Sequence, residues 1–395
     1  MKKILLMKNT FSRENFVKNE LIKFIKDSKK LSMGNEVFKW EKNFSKWQKR
    51  KFSICVNSGS SANLILIQSL LNLNYLKKND LVGVTGITWS TNVMPLIQLG
   101  LKVKALDVNI KTLNVSLEIL KKFYQENKNL KCFFITNVLG FSDEINKIKL
   151  FCKKKDILLI EDNCESMGSQ IKKIKLGNFG LASTFSTFVG HHLSTIEGGF
   201  VCTDDKKLRD QLLITRAHGW DRNLDDKKKN LLRKKFMVKS FFSNYSFYNL
   251  AFNVRPTEII GKLGNTQINF LNSTLKIREK NFKKFQFSVN QNSNFLSLDL
   301  KHMSFISNYA YPIICSSKHY FEYMCDKFYK NNIEIRPVIS GNILRQPFIR
   351  KYNNQKPNIL KNVDYIHNHA FYFPNNPDLN KMEIKRICNI LEDKK

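Results

Sequence analysis

Long apolar runs are missing from this sequence: nowhere do 18 apolar residues follow one another. A membrane-spanning helix needs about 20, so none is expected. The opening MKKILLMKNTFSREN has charge and then an apolar run too brief for a secretory leader. Eight cysteines, Cys55, Cys132, Cys152, Cys164, Cys202, Cys315, Cys325 and Cys388, include no Cys-x-x-Cys or Cys-x-Cys pair. That spacing offers neither a zinc site nor a clustered iron–sulfur site, so no metal is expected, and reduced thiols fit a cytoplasmic protein. Acidic residues are scarce, 33 against 66 basic ones, for a formal charge of +33. Such an excess favours anionic partners such as a phosphorylated cofactor or a nucleotide-linked substrate. No helix-turn-helix pattern, finger spacing or aromatic-basic signature accompanies it, and nucleic-acid binding is not expected.

What is present is the pattern of a globular α/β protein, 42% apolar and 25% charged over 395 residues. That length suits a large domain, expected at 1–255, and a smaller one at 256–395. Strands are expected at Ser53–Val56, Leu81–Val84, Val103–Val108, Cys132–Val138 and Ile157–Glu161, with helices at Ala62–Leu73, Asn92–Leu99, Ser116–Gln125 and Glu144–Lys153. Strands alternating with helices imply a mostly parallel sheet covered on both faces, with ligands at the carboxyl ends of the strands. Trp89, Asn137 and Asp162 fall at such ends. The N-terminal residues give two helices, Glu14–Lys29 and one carrying Val37, Trp40, Phe44 and Trp47. The basic segment Asp221–Lys239 reads as an exposed loop or short helix. A long helix through Ile260, Leu263, Ile268 and Leu271 leads to an α+β part with strands Tyr309–Cys315 and Ile333–Pro337 and a last helix, Lys381–Leu391.

Four residues at three places suggest an anionic, flat, protonated ligand. Gly59 and Ser60 sit where a strand turns into a helix, and free backbone N–H groups at a helix start attract phosphate. Asp162 ends an apolar strand, where a carboxylate is costly without a cationic partner such as a pyridinium nitrogen. Trp89 can stack on a flat ring. An N-cap, a helix-capping Asp and a core tryptophan are the plainer readings of these residues taken singly. The central stretch Ser183–Val201 lacks something again: no lysine occurs between Leu176 and Asp205, in a chain crowded with them. It holds His191 and His192 instead, and an imidazole moves protons near neutral pH.

MGNEVFKWE, NSGSSAN, TWST, EDNCES, GHHLSTIEGG, RAHGW, NVRPTEIIGKLG and RPVISGNILRQPF together resemble the DegT/StrS-type sugar aminotransferase family, over nearly the whole chain. The resemblance implies the fold-type I architecture of pyridoxal-phosphate-dependent transferases, like aspartate aminotransferase. In that family a serine precedes the Schiff-base lysine by five residues; here the serine is Ser186 and the lysine position holds His191, as in the family's dehydratase branch. By this likeness Gly59, Ser60 and Ser186 hold the cofactor phosphate, Trp89 stacks on the ring and Asp162 pairs with its nitrogen. Glu165 stands where a glutamine usually contacts the ring. Asn253 and Arg255 reach a neighbouring subunit's site, implying a homodimer, and His218 and Arg336 are substrate-side candidates. The implied cofactor is pyridoxal 5'-phosphate, cycling with pyridoxamine 5'-phosphate at the expense of glutamate. The implied reaction is 3-dehydration of a nucleotide-linked 4-keto-6-deoxyhexose, GDP-4-keto-6-deoxy-D-mannose foremost, with His191 as base, toward a 3,6-dideoxysugar of surface polysaccharide. The alternatives are a nucleotide-sugar aminotransferase and a non-catalytic protein that kept the fold.

Overall fold

The computed structural model describes residues 3–352 and 359–393. Two amphipathic helices, α1 (Glu14–Asp27) and α2 (Asn35–Gln48), precede β1 (Phe52–Val56) and the apolar helix α3 (Gly59–Asn72). Then come β2 (Leu81–Thr85), α4 (Met94–Gln98), β3 (Lys102–Leu106), α5 (Leu117–Glu126), β4 (Leu130–Thr136), α6 (Ile145–Lys154) and β5 (Leu158–Asp162). After two short strands, β6 (Gln170–Ile171) and β7 (Ile174–Lys175), the chain forms β8 (Ala182–Ser186), β9 (Gly199–Thr203), α7 (Lys206–Thr215), α8 (Asp226–Lys235) and the 33-residue helix α9 (Glu258–Asn290). The remainder is β10 (Met303–Phe305), β11 (Ala310–Ile314), α10 (Lys318–Lys330), β12 (Arg336–Pro337), α11 (Pro347–Tyr352), α12 (Lys361–His369), β13 (Ala370–Pro374) and α13 (Lys381–Leu391).

Seven strands make the main sheet in the order β1-β9-β8-β5-β4-β2-β3. Its pairs are parallel except those of β9, which runs against both β1 and β8. The carboxyl ends of β1, β2, β4, β5 and β8 therefore share one edge, and β9 begins there, with Gly199 opposite both Val56 and Ser186. Apolar runs in β2, β4 and β5 are buried nearly throughout, as a sheet covered on both faces requires. A second sheet, β11-β13-β12, follows α9, and a third, β10-β6-β7, is small.

The aromatic residues of α2 pack rather than bind. Trp40 and Phe44 are fully buried, and Phe44 stacks on Phe200 of β9 at 4.2 Å. The Glu258 carboxylate of α9 accepts from the N–H groups of Gly34, Glu36 and Val37 at 2.8–3.1 Å, so an anion sits at the positive end of α2. The basic segment forms α8, a helix with no buried residue.

Several expected elements differ. The helix expected at Asn92–Leu99 is shorter: Ser90–Asn92 is a single 3-10 turn, and Pro95, which cannot donate within a helix, sits in the first turn of α4. Of Ile333–Pro337 only Arg336 and Pro337 join the sheet, because Ile333 bridges to Ile4 instead. The centre of the second sheet is β13, which sequence periodicity missed because five apolar residues follow directly on α12 with no turn between them. Replacing Trp40 by Ala opens a cavity between α2, α9 and β9; denaturant titration should show a loss of about 3–5 kcal/mol, and a loss under 1 would contradict this packing.

Candidate active site

The shared carboxyl edge opens into a cavity of about 330 Å³. Its lining includes Gly59, Ser60, Trp89, Asp162, Glu165, Ser186, His191 and Arg336, together with Tyr309 and Tyr372 from beyond α9. No described lining residue is a lysine.

Local structure explains why these side chains meet. On β5 successive residues face opposite ways. Glu161 is buried and takes the N–H groups of Gly177, Phe179 and Gly180 at 2.7–2.8 Å, which makes it structural. Asp162, 4% exposed, faces the cavity; its carboxylate accepts from Asn63 at 3.1 Å, Asn92 at 2.6 Å and the Cys164 N–H at 2.8 Å. Among the described residues none forms an ion pair with it. No helix follows β5, so Asp162 is not a helix cap.

At the start of α3, Ser58 caps the helix by accepting from the Ser61 N–H at 3.0 Å, leaving the first-turn N–H groups of Gly59 and Ser60 toward the cavity. Glycine is needed at 59: a Cβ there would lie 2.7 Å from the Ser186 Cβ. Gly199 serves the same contact from the other side, since a Cβ would meet the Ser58 backbone at 2.6 Å. The Glu-Gly-Gly motif thus lets β9 lie against the α3 turn.

His191 lies on the turn between β8 and β9, held by Thr187 N–H to Gly198 O at 2.9 Å and by His191 N–H to Phe188 O at 2.9 Å. Its ring is half-buried near Tyr309, with centroids 5.4 Å apart, and Nδ1 has no partner. Burial, aided by the Arg278 charge, lowers its pKa to about 4, so the imidazole is neutral at physiological pH. His192 is turned away: its Nε2 lies 3.2 Å from Ser307 O. Glu165 accepts from Leu139 N–H at 2.9 Å and from the Tyr309 hydroxyl at 3.2 Å, and burial raises its pKa to about 7.

Trp89 is exposed at the cavity mouth, which excludes a core role. Arg336 reaches the rim while paired with Glu334 at 2.7 Å. Three predicted residues lie outside the lining of this cavity: His218, whose ring packs on Trp220 at 4.7 Å, and Asn253 and Arg255, which bond each other at 2.9 Å. Sequence reasoning missed Asn63, Asn92 and Tyr309. The two asparagines differ in no local signal from ordinary helix-start asparagines, and Tyr309 arrives from the distant segment that leads into β11.

A model described as the DegT/DnrJ/EryC1/StrS aminotransferase family matches residues 13–392. The chain belongs to that family. Among relatives, a GDP-4-keto-6-deoxy-D-mannose 3-dehydratase of Yersinia pseudotuberculosis is 34% identical over 378 residues, 94% of each chain. Among solved structures, an Escherichia coli GDP-4-keto-6-deoxy-D-mannose-3-dehydratase with bound hydrated PLP superposes with a TM-score of 0.88 at 30% identity, covering 99% of each chain. A histidine-to-asparagine variant of a GDP-4-keto-6-deoxymannose-3-dehydratase with bound GDP-perosamine gives 0.90 at 30% identity, over 99% of this chain and 100% of that one. The expected fold-type I architecture is thus borne out for this DegT/DnrJ/EryC1/StrS member.

Because the folded pKa of Glu165 is raised, the protonated carboxyl favours folding; that contribution is complete below 4.5 and is lost as pH rises to about 7. Glu165→Gln should remove it, so the variant's stability, measured by denaturant titration, should gain on the parent between pH 5 and 8. A constant difference across that range would contradict the assignment.

Proposed function

We propose that this protein is a pyridoxal-phosphate-dependent 3-dehydratase of a nucleotide-linked 4-keto-6-deoxyhexose, GDP-4-keto-6-deoxy-D-mannose, with glutamate as amine donor. The observation that carries this reading is a buried carboxylate, Asp162, without a cationic partner among the described residues, in a cavity whose described lining holds His191 and no lysine.

The residues present fit the cofactor. The unpaired Asp162 offers a site for a protonated ring nitrogen, fixed by two asparagine amides and one backbone N–H. The start of α3 with Ser186 offers N–H and hydroxyl donors to a phosphate, at a contact so close that Gly59 admits no side chain. Trp89 offers an aromatic face. When bound, pyridoxal phosphate supplies an electron sink to the substrate's nitrogen-bearing carbon.

The chain's own residues do the rest. Asp162 keeps a proton on the ring nitrogen by its negative charge. His191, neutral at working pH, takes up a proton at its imidazole and returns it to the hydroxyl that departs from C3 of the sugar. A lysine amine at this place would favour stable transfer of nitrogen; its absence biases the outcome toward loss of the hydroxyl, with ammonia and a 3-deoxy ketosugar released. Glu165, held by Tyr309, lies along the cavity wall as a ring-side contact.

Asn253, Arg255 and His218 are exposed beside Trp220, over whose ring the Arg255 guanidinium lies at 5.2 Å. We place them in the cavity of a second copy in a homodimer, where Asn253 serves the cofactor and the Arg255 guanidinium, with His218 beside it, suits a nucleotide diphosphate. Arg336 at the rim of the chain's own cavity serves the same substrate. The large part, 1–255, and the part after it meet at the cavity, and the enzyme acts in the cytoplasm on precursors of a surface 3,6-dideoxysugar. No described helix is long and apolar enough to cross a membrane.

His191→Asn should lower ammonia release from glutamate and the ketosugar by about 10³-fold or more while absorbance titration shows pyridoxal phosphate bound as before. Turnover within tenfold of the parent would overturn the base assignment. In the parent enzyme the acid limb of kcat should lie well below the usual histidine pKa of 6.5, because the neutral form persists down to about 4.

A further inference from the structure

Arg278 is the most costly feature that the reaction does not yet use. It lies midway along α9, 6% exposed, and no described carboxylate forms an ion pair with it. A buried guanidinium left without a carboxylate is expensive, and an apolar side chain would fill the same place at lower cost. Burial lowers its pKa only to about 10, so it stays charged at neutral pH.

Its hydrogen bonds all go to backbone carbonyls. Nη1 donates to Asn375 O at 2.6 Å and reaches Tyr309 O at 3.5 Å, and Nη2 reaches His191 O at 3.4 Å. The three carbonyls belong to the β8–β9 turn, the approach to β11 and the exit from β13. The Asn375 amide closes the arrangement by donating to Arg278 O at 3.0 Å and to Asn308 O at 3.1 Å. One planar group thus ties the histidine turn to the second sheet, whose Tyr309 lies against the imidazole.

We propose that Arg278 is a positioning residue for His191: it clamps the turn that carries the histidine and, as a fixed positive charge behind the ring, keeps the imidazole in its proton-accepting form. The proposal rests on the assignment of His191 as base. Other charges face the same ring. Asp162 and Glu197 border the cavity and favour the imidazolium, whereas Glu165, its pKa raised to about 7, is neutral where His191 titrates, and His192 on the same turn is itself neutral. Arg336 is compensated by Glu334, and Tyr309 and Tyr372 stay protonated because burial raises both. Asp378 acts on Arg278 without forming an ion pair with it, so Arg278 remains the cation that faces His191 among the described residues, and its charge is the second cause, after burial, of the lowered histidine pKa.

The test is NMR titration of the holoenzyme labelled with 13C-histidine, the His191 signal being identified by its loss in His191→Asn. In the parent, that signal should not titrate above pH 5. In Arg278→Met its midpoint should rise by about one unit, tenfold in proton affinity, and kcat should fall more at pH 5 than at pH 8. Arg278→Lys keeps the charge but not the fork: its midpoint should stay near the parent's while kcat falls at every pH and KM changes little. An unmoved midpoint in Arg278→Met, or a parent-like kcat in Arg278→Lys, overturns the proposal. Should Arg278→Met fail to fold, the lysine variant decides alone. A midpoint that responds to Arg278 in an enzyme whose His191→Asn variant still turns over would refute the base assignment and leave the electrostatic inference standing.

Discussion

The Asp162 carboxylate ends β5 inside the protein with three neutral donors and, among the described residues, no ion pair. Most of the site follows from it. Asn63 comes from α3, whose first turn presents N–H groups to the cavity; Asn92 follows the strand end that carries Trp89; and the Cys164 N–H belongs to the turn that places Glu165. A buried anion left unpaired destabilises the empty protein, and on the proposed reading a protonated heteroaromatic ring offsets that cost when it binds. Energy stored in the empty fold thus becomes specificity for a particular ring.

Opposite the carboxylate stands the second constraint, an imidazole where the family's transaminases keep an amine. Burial decides what it can do. A lysine in such a site would be a nucleophile for the cofactor; a neutral histidine is a proton acceptor that forms no lasting bond with it. Arg278 behind the turn pushes the same way as burial, so geometry and charge agree on one protonation state.

Much of this was legible in the sequence, for physical reasons. Asp162 stood out as a charge at the end of an apolar run, Gly59 as a glycine where a strand turns into a helix, and His191 by the lysine it replaced in a family resemblance. The strands β2 to β5 were readable because a doubly covered sheet demands unbroken apolar runs. What stayed hidden depends on contacts between distant residues. Asn63 and Asn92 look like any polar helix-start residues until the fold aims them at one carboxylate. Tyr309 and Tyr372 reach the site from beyond α9 and Arg278 acts on it from α9 itself, and β13 is defined by its partners rather than by its own pattern. For Asn253 and Arg255 the sequence offers only a resemblance, since the chain's own cavity does not include them.

The most direct test of the account is the mass of the sugar recovered after GDP-4-keto-6-deoxy-D-mannose is incubated with the protein, pyridoxal phosphate and glutamate. The account predicts a ketosugar that has lost one oxygen and gained no nitrogen. A sugar that has gained an amine and kept its C3 hydroxyl would contradict it, and would mean that His191 in a lysine-free cavity supports transamination after all.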